Sequence, residues 1–365
     1  MRSARSRSQF LHLVAALAGL AFPCQAQGPL PTPDLQGLPL RIVGVAVLPG
    51  TDSLLGRPTD MVLRPDGTLC VSDMAFHRVT CLSDSGRVLF HSGRDGQGPG
   101  EFGLPYRLAA FPDNSIGVFD IGNQSLSVLD RDGRYVDRWT LPFFFHQVNG
   151  MVGLSRGSVA ISGYAPSAGW SADSAVHLFR IDSTIHHVRS FGPLPAADNR
   201  EVLNYWGTGR LTMTADGRML LTQRLPYVLL QYDTTGRLLR RNRIPGTVSR
   251  SADLAFALKK DLTSSFVTST SEMVIAPAWA VSISPNLILA ARTGGRAGEI
   301  TTVWWDCIDA RTGKLLGSAQ LPKGFRVLDI AGVSSSGRTL LGVALVDDTP
   351  VLVRLDFRLR DSSRD

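Results

Sequence analysis

The sequence predicts an all-β fold, a six-bladed β-propeller. Two copies of one pattern begin 47 residues apart, at Pro58 and at Pro105. Each copy holds four short segments in which apolar residues alternate or run together, which is the periodicity of strands and not of helices. A repeat period in the forties with four strands in each period is typical of propeller blades.

Each copy also contains two tight turns that lie 19 residues apart. The pairs are Gly67 and Gly86, Asn114 and Gly133, and, in a third copy, Gly217 and Gly236. Gly and Asn tolerate the positive φ of such hairpin turns. Three weaker copies begin near residues 156, 285 and 336, so the total is six blades.

The two ends of the repeat region predict how the ring closes. The sixth copy ends near Arg360 without an outer strand, whereas residues 40–48 form a strand pattern that precedes the first copy. We expect this N-terminal strand to complete the sixth blade, because closure hides edges that a sheet would otherwise expose. The propeller is therefore assigned to residues 40–360, with a linker over 27–39 and a tail over 361–365.

One segment, residues 246–276, contains no blade pattern. Ser251 is a candidate N-cap for a short helix over residues 252–262, in which Leu254, Leu258 and Leu262 share one face. We expect a short helical insertion here. It either covers the channel or docks a partner, or it packs on the side of the propeller.

The N-terminus predicts export. Three arginines within the first seven residues precede a short apolar run over residues 11–22, and Ala26 ends a small-residue cleavage pattern. This is typical of a secretory signal peptide over residues 1–26, since the run is too short to span a bilayer. We expect a periplasmic or extracellular protein; a lipid anchor at Cys24 is the alternative, which Pro23 disfavours.

Charge and composition exclude some classes of partner. The formal charge of +7 becomes +4 when the three signal-peptide arginines are removed, and no long Lys/Arg run follows. Scattered arginines fit a solvated surface better than a nucleic-acid site. No later stretch is apolar enough for a transmembrane segment, and we expect a monomer.

The cysteines predict one disulfide. Counting back from the turn between Asp73 and Arg78 places Cys70 opposite Cys81 on paired strands. Opposed residues on an antiparallel pair are close enough for a disulfide, and an exported protein permits one. Two reduced, packed cysteines are the alternative. Cys307 is expected in the core.

The motifs around the second copy resemble a known family. Residues 98–102, Gly-Pro-Gly-Glu-Phe, stand before Pro105, a Val-x-Asp strand end occurs at Val71–Asp73, and Arg78-Val79 opens the next strand. This is similar to the inter-blade signature of NHL-repeat propellers and of exported bacterial six-bladed propellers. The match is good over residues 57–140, fair over 209–240 and faint elsewhere. The resemblance implies the architecture, and it carries little information about activity.

Topology predicts a ligand site at one channel mouth, formed by the turns between middle strands and by the crossings between blades. The candidate ligand-binding residues are Asp73, His77, Asp120, Asn123, Tyr164, Trp170, Arg224, Tyr227, Arg292 and Arg296. Phe76 joins them from a turn, and the crossings add Glu101, His146 and Trp206.

Catalytic and metal signatures are weak. A calcium-dependent lactonase needs carboxylate and Asn ligands that converge on the axis, for which Asp60, Asp120 and Asn123 are candidates. A zinc lyase needs several His, but the His186-His187 pair should point to opposite faces of its strand. We therefore assign no catalytic residue, no metal ligand and no cofactor, with calcium as the one alternative.

Aromatic residues offer a binding surface. Phe143–Phe145, Tyr205-Trp206 and Trp279 fall at crossings, and Trp304-Trp305 lies in a strand. They either fill the gaps between blades or, where exposed, form a platform for a ligand. We expect a binding module for a protein, peptide or glycan without catalysis. A metal-assisted hydrolase or lyase and a structural envelope module are the alternatives.

Overall fold

The computed structural model describes residues 32–51, 53–155, 157–165, 173–194, 208–223, 227–244, 276–294, 302–322, 326–334, 336–346 and 349–360. These residues form six antiparallel sheets of four strands each, which confirms the six-bladed β-propeller. The helix expected within 246–276 and the signal peptide over 1–26 lie outside the described residues.

The blades follow one another along the chain. Blade 1 contains β2 (Pro58–Leu63), β3 (Leu69–Asp73), β4 (Arg78–Leu82) and β5 (Val88–Ser92). Blade 2 contains β6 (Pro105–Ala110), β7 (Ile116–Asp120), β8 (Ser125–Leu129) and β9 (Tyr135–Thr140). Blade 3 contains β10 (Gln147–Ser155), β11 (Ser158–Tyr164), β12 (Ser174–Ile181) and β13 (Ile185–Pro193).

The remaining blades repeat this order until the ring closes. Blade 4 contains β14 (Arg210–Met213), β15 (Met219–Gln223), β16 (Val228–Tyr232) and β17 (Leu238–Arg243). Blade 5 contains β18 (Ala276–Ser284), β19 (Leu287–Gly294), β20 (Thr302–Asp309) and β21 (Leu315–Gln320). Blade 6 contains β22 (Arg326–Val333), β23 (Thr339–Val346), β24 (Thr349–Leu359) and, at its outer edge, β1 (Leu40–Val47).

Closure occurs as the sequence predicts. β1 pairs antiparallel with β24, with Leu40 opposite Leu359 and Val47 opposite Val353. The first strand of the chain therefore supplies the outer strand of the last blade, and hydrogen bonds between the two ends of the chain join the ring.

The predicted register in blade 1 is confirmed. Asp73 lies opposite Arg78, and Cys70 lies opposite Cys81 across β3 and β4. The two cysteines have Cα atoms 4.1 Å apart and are joined by a disulfide. Cys307 is a buried thiol in blade 5, and burial raises its pKa to about 12.

Apolar side chains between neighbouring blades form the core. Six hydrophobic clusters occur in the described residues, and each joins two adjacent blades. In the cluster between blades 5 and 6, Trp279 and Trp305 are fully buried and meet edge to face, with ring centroids 5.7 Å apart. These two rings therefore fill a gap between blades, which excludes them from a binding platform.

The innermost strands share an irregularity. The register shifts at the second or third residue of β2, β6, β10, β18 and β22, for example between Pro58 and Asp60 and between Pro105 and Arg107. A β-bulge leaves one residue unpaired and bends the strand. The residue after the bulge is Asp60 in blade 1, Arg107 in blade 2 and Asp329 in blade 6. One level of the channel thus carries charged residues from several blades.

Candidate functional site

The turns between second and third strands and the crossings between blades lie at the same end of the propeller, here named the loop face. Asp73 ends β3 at this face. Its carboxylate accepts hydrogen bonds from the backbone N–H groups of Gly56 at 2.6 Å, Arg57 at 3.1 Å, Ala75 at 2.9 Å and Phe76 at 3.1 Å. Asp73 is buried and ties the segment entering blade 1 to the turn that follows β3.

Asp120 does the same in blade 2. Its carboxylate accepts from the backbone N–H groups of Gly103 at 2.6 Å, Leu104 at 2.9 Å and Gly122 at 2.9 Å, and from Nδ2 of Asn123 at 2.8 Å. The two aspartates predicted for the mouth therefore lie at equivalent positions, where they hold the loops instead of pointing at open space.

His77 and Asn123 link successive loops. His77 has a φ of 51°, and its Nδ1 lies 2.6 Å from the carbonyl oxygen of Gly103 in the crossing to blade 2. Nδ2 of Asn123 donates to the carbonyl oxygen of Gly96 at 3.2 Å. The loop face is thus braced across blades 1 and 2 by side chain to backbone hydrogen bonds.

Two aromatic rings protrude from this braced surface. Phe76 is 42% exposed and Phe144 is 49% exposed. The guanidinium of Arg78 lies 4.7 Å from the ring centroid of Phe76, and the ring of His146 lies 5.2 Å from that of Phe144. Each exposed ring therefore has a polar, nitrogen-bearing neighbour.

The other described members of the predicted aromatic set are buried or partly buried. Phe145 is fully buried, and Tyr164 is 6% exposed with its ring 6.1 Å from that of His146. Phe143 packs against Phe145 and Phe179 between blades 2 and 3. Trp170, Tyr205 and Trp206 lie outside the described residues, as do Arg224 and Arg296.

Tyr227 and Arg292 lie at the loop-face end of blades 4 and 5, but both are buried and neither is presented on the surface of the loop face. Arg292 forms a bidentate ion pair with Asp306, and its Nη2 also donates to the hydroxyl of Ser318 at 2.8 Å. Burial, reinforced by the charge of Asp306, raises the pKa of Tyr227 well above its usual range. The ion pair therefore lies within blade 5, and Tyr227 of blade 4 packs in the hydrophobic cluster between blades 4 and 5.

Each innermost strand has one position that directly follows the bulge or, in β14, aligns with that position. Four of these six positions hold a charged residue: Asp60, Arg107, Arg210 and Asp329. We name these four residues the axial ring. Arg210 donates to Asp60 at 2.8 Å and to Asp329 at 2.7 Å, so one guanidinium connects blades 4, 1 and 6. Arg107 donates to the carbonyl oxygens of Thr59 at 2.5 Å and Val148 at 3.1 Å.

The axial ring is largely removed from water. Asp60 is 6% exposed, and the side chain of Asp329 is 14% exposed. Burial raises the pKa of Asp329 to about 6, against the opposing effect of Arg210. An ionisable carboxyl therefore lies near its midpoint at mildly acidic pH.

A cavity of about 860 Å³ occupies the channel on the other side of this ring. Asp60 and Arg210 line its inner end, and the turns between first and second strands, at Pro65, Pro112 and Pro285 among others, line its outer end. None of the described residues predicted for the mouth lines this cavity, which opens at the end of the propeller opposite the loop face.

Sequence reasoning placed Asp60 among the candidates for the axis but missed Arg107, Arg210 and Asp329. The available signal was positional, since a charged residue recurs two residues after Pro58 and two residues after Pro105, within otherwise apolar strands. Among the described residues, no three His, Cys, Asp or Glu side chains are grouped as metal ligands. Nor does any helix in the described part of the chain have the length and apolarity that a membrane crossing needs.

Comparisons with known proteins show the fold. No protein-family model and no curated protein matches the chain. A solved structure of a protein from Bacteroides fragilis, assigned as exported, has 12% identity and a TM-score of 0.63, covering 90% of this chain and 97% of its own. A member of the DUF4221 family from Bacteroides vulgatus has 9% identity and a TM-score of 0.56, covering 87% and 98%.

A gluconolactonase from Xanthomonas campestris has 13% identity and a TM-score of 0.49, covering 92% of this chain and 100% of its own. At these identities the likeness to solved structures concerns the architecture alone, and a propeller architecture is shared by proteins of unrelated function.

Proposed function

We propose that the chain is an exported binding module that recognises an extended peptide or a glycan on its loop face. The observation that carries the proposal is the pair of exposed rings, Phe76 and Phe144, on a surface that hydrogen bonds hold in place. Large aromatic side chains supply much of the contact area in binding sites and accept the faces of sugars and of apolar peptide side chains.

Preorganisation supports this function. The turn that carries Phe76 is held by Asp73, which accepts from the backbone N–H groups of Ala75 and Phe76. The crossing that carries Phe144 is held by the backbone N–H of Phe145, which donates to Oε1 of Gln124 at 3.3 Å, and by the backbone N–H of His146, which donates to the carbonyl oxygen of Tyr164 at 2.9 Å. A surface that is already ordered loses less conformational entropy on binding than a flexible one. We propose export because of the N-terminal pattern, and we propose a monomer in solution because the ring is complete within one chain.

The alternative is a metal-assisted hydrolase or lyase on the axis. Such an enzyme needs three or more carboxylate, Asn or His side chains that converge there. The described axial ring instead offers two carboxylates, each of which already accepts from Arg210. The described axial residues therefore support the binding proposal over a metal-assisted reaction at this position.

Peptide and glycan arrays probed with the mature protein test the proposal. For each ligand that binds, we expect the double variant Phe76→Ala/Phe144→Ala to bind at least about tenfold more weakly, the loss that hot-spot aromatics give. Leu89→Ala is the matched control, since Leu89 is 41% exposed but lies on an outer strand. Equal loss in the control, or no loss in the double variant, would contradict the assignment.

A further inference from the structure

The axial cavity has the size and shape of a separate binding site. Its volume of about 860 Å³ falls within the range of about 300–1,000 Å³ that is usual for small-molecule pockets. It extends along the axis from the turns between first and second strands to Asp60 and Arg210. The exposed rings of the loop face lie at the opposite end of the inner strands, so a molecule here would not compete with a loop-face ligand.

The walls of the cavity are aliphatic. Val62 and Leu63 from blade 1, Met213 from blade 4, and Ala331 and Val333 from blade 6 line it and are only partly buried. Apolar surface left in contact with water stabilises a complex by about 25 cal/mol for each Å² that an occupant covers. The walls therefore favour a molecule with an aliphatic body.

The inner end of the cavity disfavours a charged occupant. Asp60 accepts from Arg210 at 2.8 Å and from the backbone N–H of Leu108 at 2.9 Å. Arg210 is in turn shared with Asp329 at 2.7 Å. The axial ring as a whole holds two carboxylates and two guanidinium groups, since the charge of Arg107 also acts on Asp329. A further ion would therefore be buried without a counter-charge, which is costly. A neutral hydroxyl or amide can share the remaining lone pairs of the carboxylate.

The outer end supplies no charge that would select an ion either. Arg64 lines the cavity, but its guanidinium donates to Asp66 at 2.7 Å and to the carbonyl oxygen of Arg131 at 2.9 Å. The other described turn residues that line the cavity are mostly Pro, Ser, Thr and Ala. The aspartates of the same turns are not among the lining residues, and Asp66 and Asp216 pair with Arg64 and Arg218. Electrostatic attraction of an anion or a cation to this end is therefore weak.

We propose that the axial cavity binds one neutral amphipathic molecule, with an aliphatic chain along the walls and a hydroxyl or amide group at Asp60 and Arg210. This ligand is chemically distinct from the peptide or glycan of the loop face, and the proposal stands independently of that function.

A displacement assay tests the proposal on the mature protein. N-phenyl-1-naphthylamine, a neutral apolar dye, serves as the fluorescent probe, and 1-dodecanol, dodecanoate and dodecylammonium compete for it below their aggregation concentrations. We expect one saturable dye site, and displacement by dodecanol at concentrations at least about tenfold lower than by either ion, as the cost of an uncompensated buried charge requires.

Variants locate the site. Ala331→Phe and Met213→Trp fill the cavity and should weaken dye binding at least about tenfold. Val136→Trp adds a ring to an exposed position of β9 and should leave binding unchanged, as should Phe76→Ala/Phe144→Ala on the loop face. Absence of a saturable site in the folded wild type, equal displacement by the ions, or full binding by both filling variants would each overturn the proposal. If a filling variant does not fold, the order of the three competitors on the wild type still decides.

Discussion

Arg210 in blade 4 donates from Nη2 to Oδ1 of Asp60 in blade 1, across the axis of the ring, at a distance of 2.8 Å and a separation of 150 positions in the chain. The same guanidinium reaches Asp329 in blade 6. Blade 4 shares no hydrophobic cluster of the described residues with blade 1 or with blade 6, so this one side chain connects it directly to both. This ion triad closes the inner end of the axial cavity.

Replacing Arg210 should destabilise the protein strongly. Arg210→Met leaves two buried carboxylates without their counter-charge, and we expect a loss of about 3–5 kcal/mol in the free energy of unfolding. The triple variant Arg210→Met/Asp60→Asn/Asp329→Asn should recover much of it. Urea titration measures both, with Arg237→Ala as the control, because the exposed Arg237–Asp233 pair should contribute under about 1 kcal/mol. An equal loss in the triple variant would contradict the charge argument.

Asp329 should make stability fall as pH rises through mildly acidic values. Its folded pKa of about 6 lies above the ordinary 3.8, so the folded state holds a proton that the unfolded state releases. The groups facing it are Asp60, Arg210 and Arg107. Between pH 3.8 and 6 this carboxyl therefore removes up to about 3 kcal/mol of stability. The Asp329→Asn variant lacks this effect. The free energy of unfolding of the variant minus that of the wild type should therefore increase as the pH rises from 3.8 to 6. A pH-independent difference in urea titrations would refute the assignment.

His177 should act in the opposite direction. It is buried beside Phe143 and Phe145, with Nδ1 2.7 Å from the hydroxyl of Ser190, and burial lowers its pKa to about 4. The unfolded state binds a proton below pH 6.5, whereas the folded state resists it, so stability is lost as pH falls from about 6.5 to about 4. In His177→Gln this loss should be smaller. In the wild type, the effects of Asp329 and His177 on the pH dependence of stability oppose each other, and the two variants measure these effects separately. An unchanged pH dependence for His177→Gln would exclude the mechanism.

The disulfide should stabilise blade 1. Cys70 and Cys81 are 11 positions apart, so in the chain-entropy account their bond contributes about 3 kcal/mol. Thermal melting of Cys70→Ala/Cys81→Ala should show that loss, and the wild type under reducing conditions should approach it. A thiol titration of the denatured, unreduced protein checks the bond itself, and two additional reactive thiols from Cys70 and Cys81 would show that it does not form.

Gly150 should be sensitive to a single methyl group. A Cβ at Gly150 would lie 2.6 Å from the backbone nitrogen of Leu211, because β10 and β14 approach closely beside the channel. We expect Gly150→Ala to lose about 1–3 kcal/mol through overpacking. Gly44→Ala is the matched strand control, since its nearest contact would be an ordinary 3.6 Å from Asp356. Calorimetry compares the melting temperatures of the two variants. Equal values would mean that β10 and β14 move apart to admit the methyl group without a loss of stability.

Much of the fold could be predicted because its determinants are local or repeated. The 19-residue spacing of turns such as Gly67 and Gly86 gives the hairpins, and the unpaired strand pattern over residues 40–48 gives the closure. The register of one hairpin placed Cys70 opposite Cys81, since antiparallel pairing is fixed once its turn is known.

The site could be predicted only in part. Residues at the ends of strands, such as Asp73 and Asp120, do lie at the loop face, but their hydrogen bonds to loop backbone decide that they brace it. Which aromatic ring is exposed also depends on packing, since Phe144 protrudes while its neighbour Phe145 is buried between blades.

The sequence by itself determined the number of blades, the order of strands and the closing pair, because each depends on local periodicity and on turn chemistry. Only the tertiary structure decided that Asp60, Arg210 and Asp329 meet on the axis and that an aliphatic cavity lies beneath them. Those contacts join residues from blades far apart in the chain, and their formation depends on the curvature of the whole ring, which no local pattern encodes.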